Sequence, residues 1–253
     1  MANPKLLITL GCSYTQVPNT ATNWPKPLAE FLGCEVLYLG QGAGSNGIIS
    51  KRAIYYINKV LKSYKPEEIL VGIMWSSHTR QEFFSETKPY DYCKIDWGIY
   101  NYSNPCSIDM EDPNKNYYLI QPLWDDELSK NYYKNFYDYK GSAIQTLENI
   151  LRVQWLCEKL NIKYFFTNIN QWTFRTSFND NDLKLPLHPD IQNLHDMIDW
   201  NQWLPIDNAW DWFINESGYP EIKELGTHPS TEQNKALVDK IMIPYLKNKG
   251  YID

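Results

Sequence analysis

The chain has 253 residues, 43% of them hydrophobic and 15% aromatic, with a formal net charge of −6. This length suits one large domain or two small ones with a substantial core. The acidic balance and the lack of a long basic block argue against a nucleic-acid-binding protein.

Four short apolar runs predict the strands of a sheet. They are too short for helices, and the third is apolar nearly throughout, as expected of a strand covered on both faces. The four runs are residues 6–10, 35–39, 69–75 and 163–167.

Apolar residues at helical spacing predict helices between and after these strands. Two of the helices open on capping-box patterns, Ser142-x-x-Gln145 and Ser230-x-x-Gln233. Alternating strands and helices indicate an α/β protein whose parallel sheet carries helices on both sides. The predicted helices are residues 46–63, 142–160 and 230–247.

Two aromatic-rich regions, residues 81–140 and 171–224, show no clean period. No Gly/Ser linker sets either apart, so we interpret them as insertions into a single domain spanning residues 1–253. Their aromatic density predicts a binding surface or a homo-oligomer interface.

No apolar stretch approaches the roughly 18 residues of a membrane span. The apolar run after Lys5 is too short for a signal peptide, so we expect a soluble, cytoplasmic protein without a membrane partner. The five cysteines are scattered without a C-x-x-C pair, which predicts reduced, mostly buried thiols and no zinc site.

Three blocks follow strand ends or precede a helix, where ligands bind in open α/β sheets. They are residues 11–15 (GCSYT), residues 40–46 (GQGAGSN) and residues 227–230 (THPS). Serine chemistry needs a nucleophile, a base and backbone N–H donors for the oxyanion. Ser13, His228 and the glycine turn are candidates for these three parts.

The order and position of these blocks resemble the SGNH (GDSL-type) serine hydrolase family, in a divergent form similar to phage and bacterial members. The resemblance implies a three-layer α/β/α sandwich with a mainly parallel, five-stranded, flavodoxin-like sheet. It also implies ester hydrolysis without metal or organic cofactor, with Ser13 as nucleophile and His228 as base. The oxyanion N–H would then come from Gly42 or Gly44.

Cys12 replaces the usual aspartate of the first block, and two further departures from the family pattern affect the catalytic groups. Ser76 stands where an asparagine usually donates to the oxyanion, and Leu225 stands where the acid three residues before the histidine is expected. Glu224 is our candidate acid. Asp207, Asp211 or a Ser-His dyad without an acid are the alternatives.

Four residues beside the strand ends are predicted to contact substrate: Asn46, Trp75, His78 and Arg80. Arg80 has a second interpretation, as an anchor that holds the first insertion through a carboxylate. The insertions, with residues such as Trp97, suggest a small-molecule or glycan ester as substrate, for example an O-acetylated sugar.

Two rival functions remain. Residues 42–47 match G-x-G-x-x-G, the dinucleotide-binding fingerprint, but they follow the second strand instead of the first. The missing acid also fits a non-catalytic binding or assembly protein on the same scaffold. Such a protein could be a virion-associated phage component.

Overall fold

A computed structural model describes residues 3–16, 23–84, 117–170, 189–219 and 228–253. Its main sheet has four parallel strands, and the strand order is β2-β1-β3-β6. A second sheet pairs β4 and β5 antiparallel. The strands are β1 (Leu6–Gly11), β2 (Glu35–Tyr38), β3 (Ile69–Trp75), β4 (Gln81–Phe84), β5 (Tyr117–Ile120) and β6 (Lys163–Asn168).

Helices fill most of the described chain between these strands. A π-helical segment, Val238–Met242, joins the last two helices. Pro244 lies just beyond it and has no N–H for the preceding turn, which accounts for the widened helix there. The helices are α1 (Pro25–Leu32), α2 (Asn46–Val60), α3 (Glu127–Asn135), α4 (Tyr139–Leu160), α5 (Pro189–Asp196), α6 (Ala209–Asn215), α7 (Thr231–Leu237) and α8 (Ile243–Asn248).

The core lies on both faces of the main sheet because side chains alternate along each strand. In β1, Leu6, Ile8 and Leu10 belong to a buried cluster with residues of α2, α4 and α5. Leu7 belongs to a second cluster with residues of α1, α6 and the C-terminal helices. The predicted α/β class with a mainly parallel sheet is therefore confirmed.

The capping predictions had different outcomes. Ser230 Oγ accepts from the Gln233 backbone N–H at 3.1 Å and Gln233 Oε1 accepts from the Ser230 N–H at 3.0 Å, so that capping box is confirmed. The predicted cap of α4 was wrong by four residues. Asp138 caps this helix by accepting from the Gly141 N–H at 2.6 Å, which leaves Ser142 inside the first turns.

The predicted fifth strand is not formed as a strand within the described ranges. Instead, Trp203 makes a single parallel bridge to Phe166 on β6, and the Leu204 N–H donates to the Phe166 carbonyl at 2.9 Å. The described parts of the two aromatic regions hold regular elements that the sequence did not predict: β4, β5 and α3 in the first, and α5 and α6 in the second.

Three cysteines fall within the described ranges, and all are free thiols. Cys12 and Cys157 are buried, and Cys34 is partly buried. Among the described helices, none has both the length and the apolar composition that crossing a membrane requires.

Candidate active site

Ser13 lies in a tight turn directly after β1. The Cys12 carbonyl accepts from the N–H groups of both Thr15 and Gln16, each at 2.9 Å, which closes the turn. The Asn23 side-chain amide donates to the Ser13 carbonyl at 2.9 Å and also to the Gln16 carbonyl. The turn is therefore fixed from both sides, and the Ser13 side chain is presented at the carboxyl edge of the sheet.

His228 meets Ser13 across 215 residues of sequence. Its Nε2 lies 2.7 Å from Ser13 Oγ, which is hydrogen-bonding distance. The imidazole packs against the Tyr14 ring with centroids 5.3 Å apart, and Tyr14 in turn contacts the rings of Trp210 and Phe213. This aromatic wall limits the positions that the His228 ring can adopt.

A buried asparagine links the two halves of this pair. Asn234, on α7, accepts from the Trp24 backbone N–H at 3.1 Å and donates to the Ser230 carbonyl at 2.9 Å. Its amide also donates to Asn23 Oδ1 at 3.4 Å. Because Asn23 holds the Ser13 turn, Asn234 ties that turn to the segment that carries His228.

The surroundings of His228 favour its neutral form. Partial burial of the ring, followed by the positive charge of Arg80, lowers its pKa below the usual 6.5. A neutral imidazole can accept a proton from Ser13 near pH 7.

No aspartate or glutamate of the described residues lies within 4.0 Å of a His228 ring nitrogen. The Asp211 carboxylate accepts from the Asn208 amide at 2.7 Å. The candidate acid Glu224 lies outside the described residues.

The glycine block packs directly on the Ser13 turn. The Gln41 N–H donates to the Gly11 carbonyl at 2.9 Å, and a Cβ placed on Gly40 would lie 2.5 Å from backbone atoms of Thr15 and Gln16. Of the two oxyanion candidates, Gly44 already donates its N–H to the Gln41 carbonyl at 3.0 Å. The N–H groups of Gly42 and Ser13 have no acceptor among the described residues.

Ser76 follows β3, whose Met74 is paired with Gly11 of β1. It therefore lies at the same sheet edge as Ser13. Its backbone is held by the buried Asn46 amide, which accepts from the Ser76 N–H at 2.8 Å and donates to the Ser76 carbonyl at 3.0 Å. Its hydroxyl oxygen accepts from Arg80 Nη1 at 2.9 Å.

Three of the four residues predicted to contact substrate are buried, and their role stays a prediction. Trp75 is fully buried in the core and packs on Phe166 with ring centroids 5.5 Å apart. His78 is 1% exposed and packs edge-on against Tyr139 at 4.5 Å. Asn46 is 3% exposed and its amide is committed to Ser76, so its place is structural support.

Arg80 remains partly exposed, and no carboxylate of the described residues lies within 4.0 Å of its guanidinium. The described part of the chain therefore lends no support to the anchor interpretation.

The dinucleotide interpretation conflicts with the structure. The Glu82 carboxylate occupies the N-terminal end of α2, where a phosphate would bind. It accepts from Ser45 Oγ at 2.6 Å, forms an ion pair with Lys51 at 2.6 Å, and sits where a Cβ on Gly47 would be. Within the described residues there is also no cluster of three or more His, Cys, Asp or Glu side chains suited to a metal ion.

Sequence reasoning missed Tyr14, Asn23 and Asn234. Tyr14 could have been suspected from its place beside Ser13. The two asparagines carried no signal, because their importance comes from contacts with residues distant in sequence.

Comparison with known proteins places the chain in a family. A family model described as a family of unknown function (DUF6071) matches residues 15–207, about three quarters of the 253-residue chain. Neither the curated proteins nor the solved structures contain a significant match. The matched segment includes Arg80 and begins two residues after Ser13. The chain therefore belongs to this family of unknown function.

Proposed function

We propose that the protein is a serine esterase of SGNH type. The observation that carries the proposal is the 2.7 Å contact between His228 Nε2 and Ser13 Oγ at the carboxyl end of β1. A nucleophile and base in hydrogen-bonding distance are the minimum for covalent acyl transfer.

The reaction proceeds in two steps. Ser13 Oγ attacks the acyl carbonyl while His228 Nε2 takes the hydroxyl proton, and that proton then passes to the departing alcohol. Water attacks the acyl-enzyme with His228 again as base, which releases the acid and restores Ser13. Neither step requires a metal or an organic cofactor.

The oxyanion of each tetrahedral intermediate is stabilised by hydrogen-bond donors near Ser13. We assign the backbone N–H groups of Ser13 and Gly42, because Gly44 uses its own N–H within the turn. The Ser76 hydroxyl is a third donor, since its oxygen accepts from Arg80 and its hydrogen remains to be donated. This hydroxyl would replace the asparagine of the family pattern.

The finer fold assignment belongs to the same proposal. The strand order β2-β1-β3-β6 and the single Trp203 bridge to Phe166 on β6 support our assignment of a five-stranded flavodoxin-like sheet. In such a sheet Ser13 follows the strand next to the topological switch point, where ligands bind.

The catalytic power of the site depends on a third group. In a Ser-His-Asp protease, replacing the acid lowers kcat about 10⁴-fold. No described carboxylate contacts His228 and Arg80 adds positive charge nearby, so without an acid we expect slow turnover. The same observation favours the second candidate function, a binding or assembly protein that keeps the scaffold without efficient catalysis.

A fluorophosphonate probe separates the two functions. We expect the full-length wild type and the control Ser63→Ala, which changes an exposed serine beyond α2, to be labelled equally. Ser13→Ala should abolish labelling and His228→Ala should slow it strongly. A folded wild type that is not labelled would contradict the esterase proposal and support the binding protein.

The acid can be located with the same assay. Glu224→Gln should slow labelling if Glu224 orients His228, whereas Asp211→Asn should not, because Asp211 is hydrogen bonded to Asn208. Wild type that is labelled should then be screened against acetylated sugars and short-chain esters.

A further inference from the structure

A polar cleft is lined by Arg80, whose guanidinium is hydrogen bonded to Ser76 of the candidate active site. It lies between the N-terminal end of α2, strand β4 and one side of α4, and has a volume of about 330 Å³. Arg80 forms its wall nearest to Ser76. Ser76 and Ser13 follow neighbouring parallel strands, so Arg80 links this cleft, called here the Arg80 cleft, to the sheet edge that carries Ser13.

The charges of the Arg80 cleft are paired, with one exception. Glu82 is neutralised by Lys51 at 2.6 Å, and Glu148 lies 3.9 Å from Arg152 on the next turn of α4. Arg80 contacts no carboxylate of the described residues within 4.0 Å. Arg80 is therefore the cation of this cleft that lacks a nearby carboxylate among the described residues.

The guanidinium of Arg80 has donors to spare. A guanidinium has about five N–H donors in a planar fork, and one of them serves Ser76 Oγ at 2.9 Å. No other acceptor for the Arg80 guanidinium lies among the described residues, so one edge of the fork can bind a carboxylate through two parallel hydrogen bonds.

The remaining walls suit a ligand with hydroxyl groups and an apolar ring face. Gln145 on α4 provides an exposed amide group, whereas the buried Ser142 hydroxyl already accepts from Gln81 Nε2 at 3.2 Å. Phe83 and Tyr132 provide aromatic surface, with ring centroids 5.4 Å apart. The volume lies at the lower end of the range of about 300–1,000 Å³ typical of ligand sites, so the occupant is small.

We propose that the Arg80 cleft binds a small, hydroxyl-rich carboxylic acid such as a sugar acid, with Arg80 holding its carboxylate. The inference deepens the esterase proposal and rests on it in one respect only. The bound sugar acid carries the hydroxyl group whose ester Ser13 cleaves. Binding itself requires no catalysis.

The test compares two ligands that differ only in charge. Methyl β-D-glucuronide and methyl β-D-glucoside are titrated into the full-length protein, and chemical-shift changes give the dissociation constants. A hydrogen bond to a charged group contributes enough for a preference of about tenfold or more, so we expect the glucuronide to bind at least that much more tightly.

Variants assign the preference to Arg80. Arg80→Gln should remove it and Arg80→Lys should retain part of it, because lysine keeps the charge but not the fork. Lys62→Gln is the matched control. It removes one exposed positive charge beyond the far end of α2, and the 15 residues of that helix span about 22 Å. The control should bind both ligands as the wild type does.

Three results would overturn the inference. They are equal or undetectable binding of both sugars to the wild type, a preference that survives in a folded Arg80→Gln variant, and acetate competing as strongly as the glucuronide. The last result would indicate a simple anion site. Probe labelling of Ser13 without glucuronide binding would refute this inference alone, and glucuronide binding without labelling would refute the esterase proposal alone.

Discussion

The contact between the glycine block and the Ser13 turn predicts a strong effect of one added methyl group. A Cβ on Gly40 would lie 2.5 Å from the Gln16 nitrogen and from the Thr15 carbonyl carbon, both of them backbone atoms. Carbon atoms pack best at about 3.5–4.0 Å, so Gly40→Ala must move one backbone segment away from the other by about 1 Å.

Overpacking of this kind costs about 1–3 kcal/mol of unfolding free energy. A displacement of about 1 Å in a reacting group can slow a reaction about 100-fold. We therefore expect Gly40→Ala to lower the unfolding free energy by that amount in urea denaturation. We also expect it to reduce the fluorophosphonate labelling rate about 100-fold.

Gly42→Ala is the matched control for stability. Its added Cβ would meet only Gln16 Oε1 at 3.1 Å, the end of a flexible side chain, so we expect a much smaller change in unfolding free energy. A Gly40→Ala protein as stable and as reactive as the wild type would refute the close packing of these two segments.

Three further predictions follow from the same contacts. The labelling rate should fall as pH drops through the lowered pKa of His228, with a midpoint below pH 6.5. Arg80→Gln removes a nearby positive charge and should move that midpoint upward, whereas an unmoved midpoint would show that Arg80 does not act on His228. Asn234→Ala leaves the buried Trp24 N–H without its acceptor, so the unfolding free energy should fall by about 1–3 kcal/mol and labelling should be slower. Normal labelling would contradict the positioning role of Asn234. Gly72→Ala places a Cβ 2.5 Å from the Phe165 ring and should lower the unfolding free energy by about 1–3 kcal/mol, without changing the pH dependence of labelling. A variant as stable as the wild type would contradict this close packing.

The sheet could be predicted from sequence because its strands are buried on both faces. Such strands appear as short, continuous apolar runs, and all four predicted runs correspond to β1, β2, β3 and β6. Elements in the aromatic regions were not predicted, since α3 and α6 are short and only partly buried and their sequences carry no clear period. The start of α4 was misplaced because two polar residues in the chain could each cap it, and Asp138 does.

The proximity of Ser13 and His228 was expected from their positions in the chain. Ser13 follows the first strand and His228 precedes the last helix, and both positions were expected at the carboxyl edge of the sheet. The predicted substrate contacts of Trp75, His78 and Asn46 stay predictions, but the burial of these side chains was not expected. Sequence placed them at the correct edge, but which way each side chain points depends on packing partners such as Phe166 and Tyr139.

The most direct test of the Ser13–His228 pair is to locate the fluorophosphonate adduct by peptide mass mapping of the labelled full-length protein. We expect a single phosphonylated peptide modified at Ser13, with the adduct absent in Ser13→Ala and strongly reduced in His228→Ala. An adduct on another residue, or Ser13 labelled equally fast without His228, would contradict the claim that this pair forms an activated nucleophile.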